Sequence, residues 1–429
     1  MNQQQIDRYI RLIRSETAPA MGCTEPAAGA LCAAAAAAQL GCAPESLTVE
    51  VSSYIFKNAM NVGIPGTGET GLDIACAMGA LCPKPELGLS VLGEFDPGLL
   101  PEARRLARNT RISVAEGVPK VYIRAVAHGG GSYGEAVIRD THTGIVYLGR
   151  DGVPAMEKDM QSASSAPESG GEGAQLDIPG IWQFGQEVPV SALYFLRELV
   201  QVNCAMAEEG LSHPYGLQVG RQMHSGTAAG LIAEDTANFA AAYTAAAADA
   251  RMSGCEQAVM SVAGSGNQGL TATLPVIAVA RKSGKPEEVM LRALAISILT
   301  TIHAKEYIGR LSVLCGCGVA SSIGVTAGVV YMLGGSLEQA EMGIRTMTAD
   351  ISGIVCDGAK PGCALKIATS VGAAMRAASF ALSGIGASAH DGIVAGDVEE
   401  TLKNLGELGA DGMAGANQVI LDMLLHKQG

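Results

Sequence analysis

Positive charge is in short supply. Against 42 acidic side chains the chain sets 29 lysines and arginines, a net charge of -13, so long-range repulsion opposes nucleic acid and acidic membrane surfaces as partners. Histidine is sparse too. His128, His142, His213, His224, His303, His390 and His426 show neither HExxH nor another metal-ligand spacing, which argues against zinc hydrolysis. No GxSxG elbow supports a serine hydrolase. Neither glycine-rich segment ends in the Gly-Lys-Ser/Thr of a phosphate-binding loop. The longest weakly polar stretch, Gly318 to Gly335, contains Ser321, Ser322 and Thr326 and lacks interfacial anchors, so it reads as a buried helix and not a membrane span. The chain opens Met1-Asn2-Gln3-Gln4-Gln5 instead of with a basic segment and an apolar core, and its eleven cysteines are an odd number. A reducing cytoplasm is the expected compartment.

What is abundant is small and apolar. The 429 residues are 48% hydrophobic and include 55 glycines, but only 4% are aromatic, so the chain has length for two or three cores built from small side chains. Ile6, Tyr9, Ile10 and Ile13 recur at helical spacing, and Pro19 should end that first helix. A second helix carries the run Ala33 to Ala38 and stops at Gly41. From Leu47 the pattern alternates as in strands, turns helical over Leu72 to Leu81, and returns to strands near Val121 to Ala127, Ala136 to Arg139 and Ile145 to Leu148, with a hairpin turn at Asp140 to Gly144. Met156 to Gln175 has no periodicity and reads as a loop or linker. Beyond it the segments Val190 to Glu209, Thr227 to Arg251, Glu287 to Ile302, Gly318 to Met332 and Leu365 to Ser383 read as helices. The expected fold is α+β: N-terminal helices over 1–45, a smaller α/β region over 46–155, a linker over 156–178, and a larger helical domain over 179–429.

Four cysteines stand out by their setting. Cys23 in Gly22-Cys23-Thr24-Glu25-Pro26, Cys315 in Leu314-Cys315-Gly316-Cys317-Gly318, and Cys356 and Cys363 at the ends of Cys356-Asp357-Gly358-Ala359-Lys360-Pro361-Gly362-Cys363 lie among Gly, Pro, Asp and Lys, where apolar packing gives no reason for a thiol. Thiolates from distant segments can hold an iron–sulfur cluster, although no CxxCxxC run is present and the alternative is plain packing. Cys32, Cys42, Cys76, Cys82, Cys204 and Cys255 read as small hydrophobes. Gly66 to Gly71 and Gly264 to Gly269 both spell GxGxxG, but neither sits in a βαβ context that would make it a dinucleotide site. Ser265, Gly266, Asn267 and Gln268 read either as a backbone nest at a helix start, suited to a small carboxylate, or as a tight turn. Lys57, Asn58 and Lys360 are candidate substrate contacts or ordinary surface groups. His128 is an acid–base candidate or a polar strand end.

Together, Gly22-Cys23-Thr24-Glu25-Pro26, Pro65-Gly66-Thr67-Gly68, Gly264 to Gly269, Leu311 to Cys315 and Cys356 to Lys360 resemble the L-cysteine desulfidase family, also called UPF0597, over nearly the whole chain. The C-terminal half is also similar to the α domain of iron–sulfur L-serine dehydratases, in Ala250-Arg251-Met252 and in the Cys356 to Cys363 segment, though the dehydratases space their last two cysteines more widely. The resemblance implies β-elimination of L-cysteine to pyruvate, ammonia and sulfide, with a [4Fe–4S] cluster as Lewis acid and no pyridoxal phosphate. The implied cluster ligands are Cys23, Cys315 and Cys356, or Cys363 in place of Cys23. Cys317 stands in reserve, because thiols two residues apart do not easily face one iron. The base that removes the α-proton is unassigned. L-serine dehydration, a non-catalytic iron–sulfur or small-molecule-binding protein, and a nicotinamide dehydrogenase are the alternatives. An amino acid is the expected small-molecule partner, with self-association left open. Cys23 can join such a cluster only if its segment packs against the C-terminal domain.

Overall fold

Every second residue of Ser46–Val51 is buried, and the same two-residue period builds a sheet around it. The computed structural model describes residues 1–158, 176–226, 230–309 and 311–427. Its strands are β1 (Thr17–Ala20), β2 (Ser46–Val51), β3 (Thr110–Val114), β4 (Tyr122–Gly129), β5 (Ser132–Arg139), β6 (Ile145–Arg150), β7 (Val153–Glu157) and β8 (Val259–Val262). Six of them form one sheet in the order β3-β2-β4-β5-β6-β7, antiparallel except for the β2–β3 pair. One face buries Leu47, Val49, Ile123, Ala125, Ala136 and Ile138. On the other, Arg124 bridges Glu50 and Glu135 across neighbouring strands. The hairpin turn falls where the sequence placed it, with Asp140 at φ 65° between β5 and β6.

The first part of the chain carries the helices α1 (Gln3–Glu16), α2 (Thr24–Leu40), α3 (Ser53–Ala59), α4 (Leu72–Leu81) and α5 (Leu100–Arg108). The second part carries α6 (Ile178–Glu187), α7 (Leu196–Ser212), α8 (Val219–His224), α9 (Thr236–Met252), α10 (Gly266–Lys282), α11 (Glu287–Ile308), α12 (Ala320–Met332), α13 (Leu337–Ile351), α14 (Cys363–Leu382), α15 (Val398–Glu407) and α16 (Ala414–His426). The fold is thus mixed α+β, a sheet-containing N-terminal region followed by a helical part. Small residues let these helices approach closely: a Cβ on Gly210 of α7 would overlap the backbone of Ala246 on α9. Gly318 to Gly335 contains the buried helix α12 (Ala320–Met332), and no helix among the described residues is long and apolar enough to cross a membrane.

Three features depart from the sequence reading. The two N-terminal helices part company: α1 buries Ile6, Tyr9 and Ile13 in the helical core, whereas α2 lies on the buried face of the sheet. Its alanines are apolar all round, so periodicity could not say which neighbour it would choose, and the bare backbone of Gly134 in β5 lets α2 sit directly on the sheet. At the other end, α16 returns to the sheet region through Leu421 and Leu424. Met156 and Glu157, expected in a loop, belong to β7, and residues 159–175 lie outside the described residues.

Candidate functional site

Antiparallel pairing between two loops sets the geometry of the candidate site. Leu314 and Val355 form an isolated bridge, flanked by hydrogen bonds from Cys315 N to Ile354 O (2.9 Å) and from Cys356 N to Val313 O (2.6 Å). In such a ladder Cys315 lies opposite Ile354 and Cys356 opposite Val313. The two cysteines therefore share a face as diagonal neighbours, about 7–8 Å apart by ladder geometry. Cys363 opens α14 at the far end of the same loop, with its backbone N–H bonded to Lys360 O at 2.9 Å. Cys317, set aside in the sequence reading, comes within 3.5 Å of Cys315, Sγ to Sγ. The Cys-Gly-Cys-Gly turn folds back on itself and brings both thiols to one side.

Electrostatics follow from burial and from what surrounds it. The hydrogen bond between Cys317 and Cys315 pulls the Cys315 thiol below its ordinary range and pushes Cys317 above it. Burial, reinforced by the neighbouring Cys315, pushes Cys356 up and Cys363 up to about 12. These thiols feel one another's charge, so gathering several thiolates here requires compensating cations. Three lysines supply them. Lys360 pairs with Asp357 at 2.6 Å, and Lys366 pairs with the same carboxylate and donates to Val355 O at 2.7 Å. Burial opposes the Asp357 charge, but those two lysines outweigh it and hold the carboxyl down at about 2. Lys57 is not the surface group that its residue type suggests: it is 1% exposed, donates to Asn417 Oδ1 at 2.8 Å, and is pulled below its usual range by burial while the thiol of Cys356 works the other way.

The remaining motifs close around this centre. Gly358, at φ 98°, lies against the backbone of Lys57, where any side chain would overlap the Lys57 carbonyl oxygen. A Cβ on Gly316 would overlap Gln268 Oε1 and come within 3.3 Å of Lys305 Nζ, so the Cys315 loop rests on the start of α10. There Ser265 is the N-cap, its hydroxyl accepting from Gln268 N at 3.5 Å. Gln268 itself donates to Val262 O (2.9 Å), and Asn267 accepts from Arg251 Nη1 (2.9 Å). Both side chains are buried and committed to the protein, and Ser265 N and Gln268 N are bonded to Val262 O and Ser265 Oγ, which leaves the backbone N–H groups of Gly266 and Asn267 as the part free to bind. Although a strand, β8, does precede this loop, among the described residues it pairs with β1 alone, in a two-stranded antiparallel ribbon and not in the parallel sheet that a dinucleotide site needs.

Cys23 approaches from another side. It packs in a small apolar cluster with Val62 and Met252, against which Ala359 and Cys363 also rest, and burial pushes its thiol up to about 11 while Arg251 draws it down. A narrow pocket opens over it, lined by uncharged residues that include Met21, Ile64, Pro65, Leu89 and Leu92. Arg251 Nη2 donates to Gly22 O at 2.6 Å, tying the Cys23 segment to the end of α9. Asn58 reaches Glu25 Oε1 at 3.3 Å and so links α3 to the first turn of α2. His128, by contrast, lies in β4 beside Tyr133 of β5, a strand residue with its ring 6.1 Å from the tyrosine's. Lys366 and Asn417 were missed at the sequence level. Lys366 could have been found, because it follows Cys363 by three residues and so shares its helix face; Asn417 carries no local signal.

Among the described residues no three His, Cys, Asp or Glu side chains close around a single metal ion. Cys315 and Cys317 lie 3.5 Å apart, and Cys363 rests against the apolar cluster that holds Cys23. An all-sulfur donor set with lysines beside it matches the chemistry of an iron–sulfur cluster, so the residues present fit that group.

Comparison with known proteins identifies the family. Residues 120–422 match the family model described as serine dehydratase alpha chain. A UPF0597 protein of Oleidesulfovibrio alaskensis is 43% identical over 423 residues, covering 98% of either chain. One from Bacteroides fragilis is 38% identical over 430 residues and covers 100% of both, and one from Shewanella baltica is 41% identical over 98% of this chain and 99% of its own.

Proposed function

Because this chain belongs to the UPF0597 family and its residues 120–422 form a serine dehydratase α-chain region, we propose that it is an iron–sulfur lyase, an L-cysteine desulfidase. The reaction removes the α-proton of L-cysteine and breaks the Cβ–S bond, with sulfur leaving on its electron pair. The aminoacrylate that remains tautomerises and takes up water to give pyruvate and ammonia. One observation carries the reading: the 314/355 bridge sets Cys315 and Cys356 on one face, with Cys363 and the lysines at its edge.

Cys315 and Cys356 would hold a [4Fe–4S] cluster with a third thiol from Cys23 or Cys363. When bound, such a cluster supplies an iron open to the substrate's leaving group as a Lewis acid. The start of α10, within Ser265 to Gln268, would receive the substrate carboxylate on the backbone N–H groups of Gly266 and Asn267. Lys57, Lys360 and Lys366 offset the thiolate charge, and Asn58 holds α3 against the Cys23 segment.

L-serine dehydration is the second reading, favoured by the serine dehydratase match itself. It needs the same framework with oxygen as leaving atom. Anaerobic purification with iron and acid-labile sulfide analysis tests what both share. Several irons per chain, lost together with pyruvate formation on exposure to air, is the expected result. Full activity in iron-free protein would overturn the reading.

A further inference from the structure

We propose that Arg251 is the cation that receives the substrate's carboxylate, at the start of α10. The identity of the ligand rests on the amino-acid lyase reading above; the anion site does not. Arg251 ends α9 and is 4% exposed. Nη1 donates to Asn267 Oδ1 and Nη2 to Gly22 O, both neutral, and the guanidinium also lies against the Cys23 thiol, which it draws down. Nε is buried with no partner, and among the described residues no carboxylate pairs with this guanidinium. A buried cation left without an anion costs several kcal/mol.

The unpaired edge faces Gly266, the first residue of α10. A Cβ at that position would lie 2.5 Å from Arg251 Cζ and 2.7 Å from Nη2, and would collide with Nε. Glycine therefore lets the guanidinium reach the helix start, where the first backbone N–H groups have no intrahelical partner and the helix dipole places positive charge. Two positive poles held side by side in a buried place define an anion site. A carboxylate suits it, since one oxygen can take Nε–H and the other the free N–H groups of the helix. The same guanidinium holds the Gly22 carbonyl next to Cys23, and Gln268 touches the Cys315 loop. An amino acid anchored here lies beside both thiol segments.

The competing role is that Arg251 merely offsets the charge of Cys23. Binding of L-alanine and of uncharged-end L-alaninamide, neither of which has a leaving group, separates the two. Calorimetric titrations would use anaerobically prepared full-length wild type, Arg251→Gln and Arg251→Lys, each with iron content measured and folding checked by circular dichroism. Hydrogen bonds to a charged group contribute about 1.5–3 kcal/mol, so wild type should prefer alanine by roughly 10–150-fold. Arg251→Gln should lose that preference with alaninamide binding and iron content unchanged, and Arg251→Lys should keep part of it. If Arg251→Gln fails to fold, Gly266→Ala, which crowds the guanidinium without removing it, should lose the preference instead. A preference that persists in the folded variant overturns the proposal. So does iron loss with the preference intact, which would make Arg251 the partner of Cys23 alone. Should L-cysteine release no sulfide while the preference still depends on Arg251, the lyase reading falls and the carboxylate site stands.

Discussion

Gly358→Ala tests whether the Cys356 loop is seated on α3. The glycine has φ 98°, and a Cβ there would overlap Lys57 O and lie 3.2 Å from Lys57 Cγ. A left-handed backbone costs a side-chain-bearing residue about 1–2 kcal/mol, and forcing an extra carbon into a filled contact about 1–3 kcal/mol, together about 2–5 kcal/mol. The loop can relieve this only by lifting away from Lys57. Lifting should raise the rate at which iodoacetamide alkylates Cys356, while urea unfolding shows a loss of stability no larger than the sum. Gly353→Ala is the control, because a Cβ at Gly353 meets nothing within 4 Å and its φ is not positive. If Gly358→Ala matches Gly353→Ala in both stability and alkylation, the loop does not rest on Lys57, and the site as described is wrong.

Other expectations follow from the same geometry. Cys315→Ser and Cys356→Ser should each lose iron and pyruvate formation together, whereas Cys76→Ser and Cys204→Ser, which alter packed thiols, should retain both by iron analysis and assay. Gly210→Ala should destabilise the protein by about 1–3 kcal/mol in urea, the opposite of its helix propensity, since its Cβ would overlap the Ala246 backbone. His303 is buried between Glu306 (3.2 Å) and Glu399 (2.6 Å). Burial disfavours its charge, but hydrogen bonds to the two carboxylates outweigh that and raise it to about 9. Its folded value thus exceeds the unfolded value near 6.5, and the resulting stability, on the order of 3 kcal/mol, is fully present below about pH 6.5 and lost as pH rises through about 9. Urea unfolding between those limits should show that loss in wild type and little of it in His303→Gln.

Much of this architecture is legible in the chain. Leu47, Val49 and Val51 alternate and form β2; Asp140 to Gly144 turns a hairpin; Gly318 to Gly335 contains a buried helix. Each depends on a period or a turn residue, which are local. The segments around Cys23, Gly264, Cys315 and Cys356 could be singled out because glycine, proline and charge surround a thiol or a helix start. What escaped is non-local. β1 is four residues long and its partner β8 lies far along the sequence, so nothing in Thr17 to Ala20 announces the pairing. The alanine-rich α2 has no polar face to say where it docks. Lys57 is buried because α16 and the Cys356 loop cover it, and Arg251 reaches the start of α10 because Gly266 carries no side chain. Neither condition is written at the residue itself.

The most direct test compares initial rates on L-cysteine and L-serine with one anaerobic preparation, following sulfide and pyruvate from the first and pyruvate from the second. Thiolate is the better leaving group and a soft partner for iron, so equal amounts of sulfide and pyruvate should come from L-cysteine faster than pyruvate forms from L-serine at matched concentration. A clear preference for L-serine, or sulfide released without pyruvate, would contradict the desulfidase assignment.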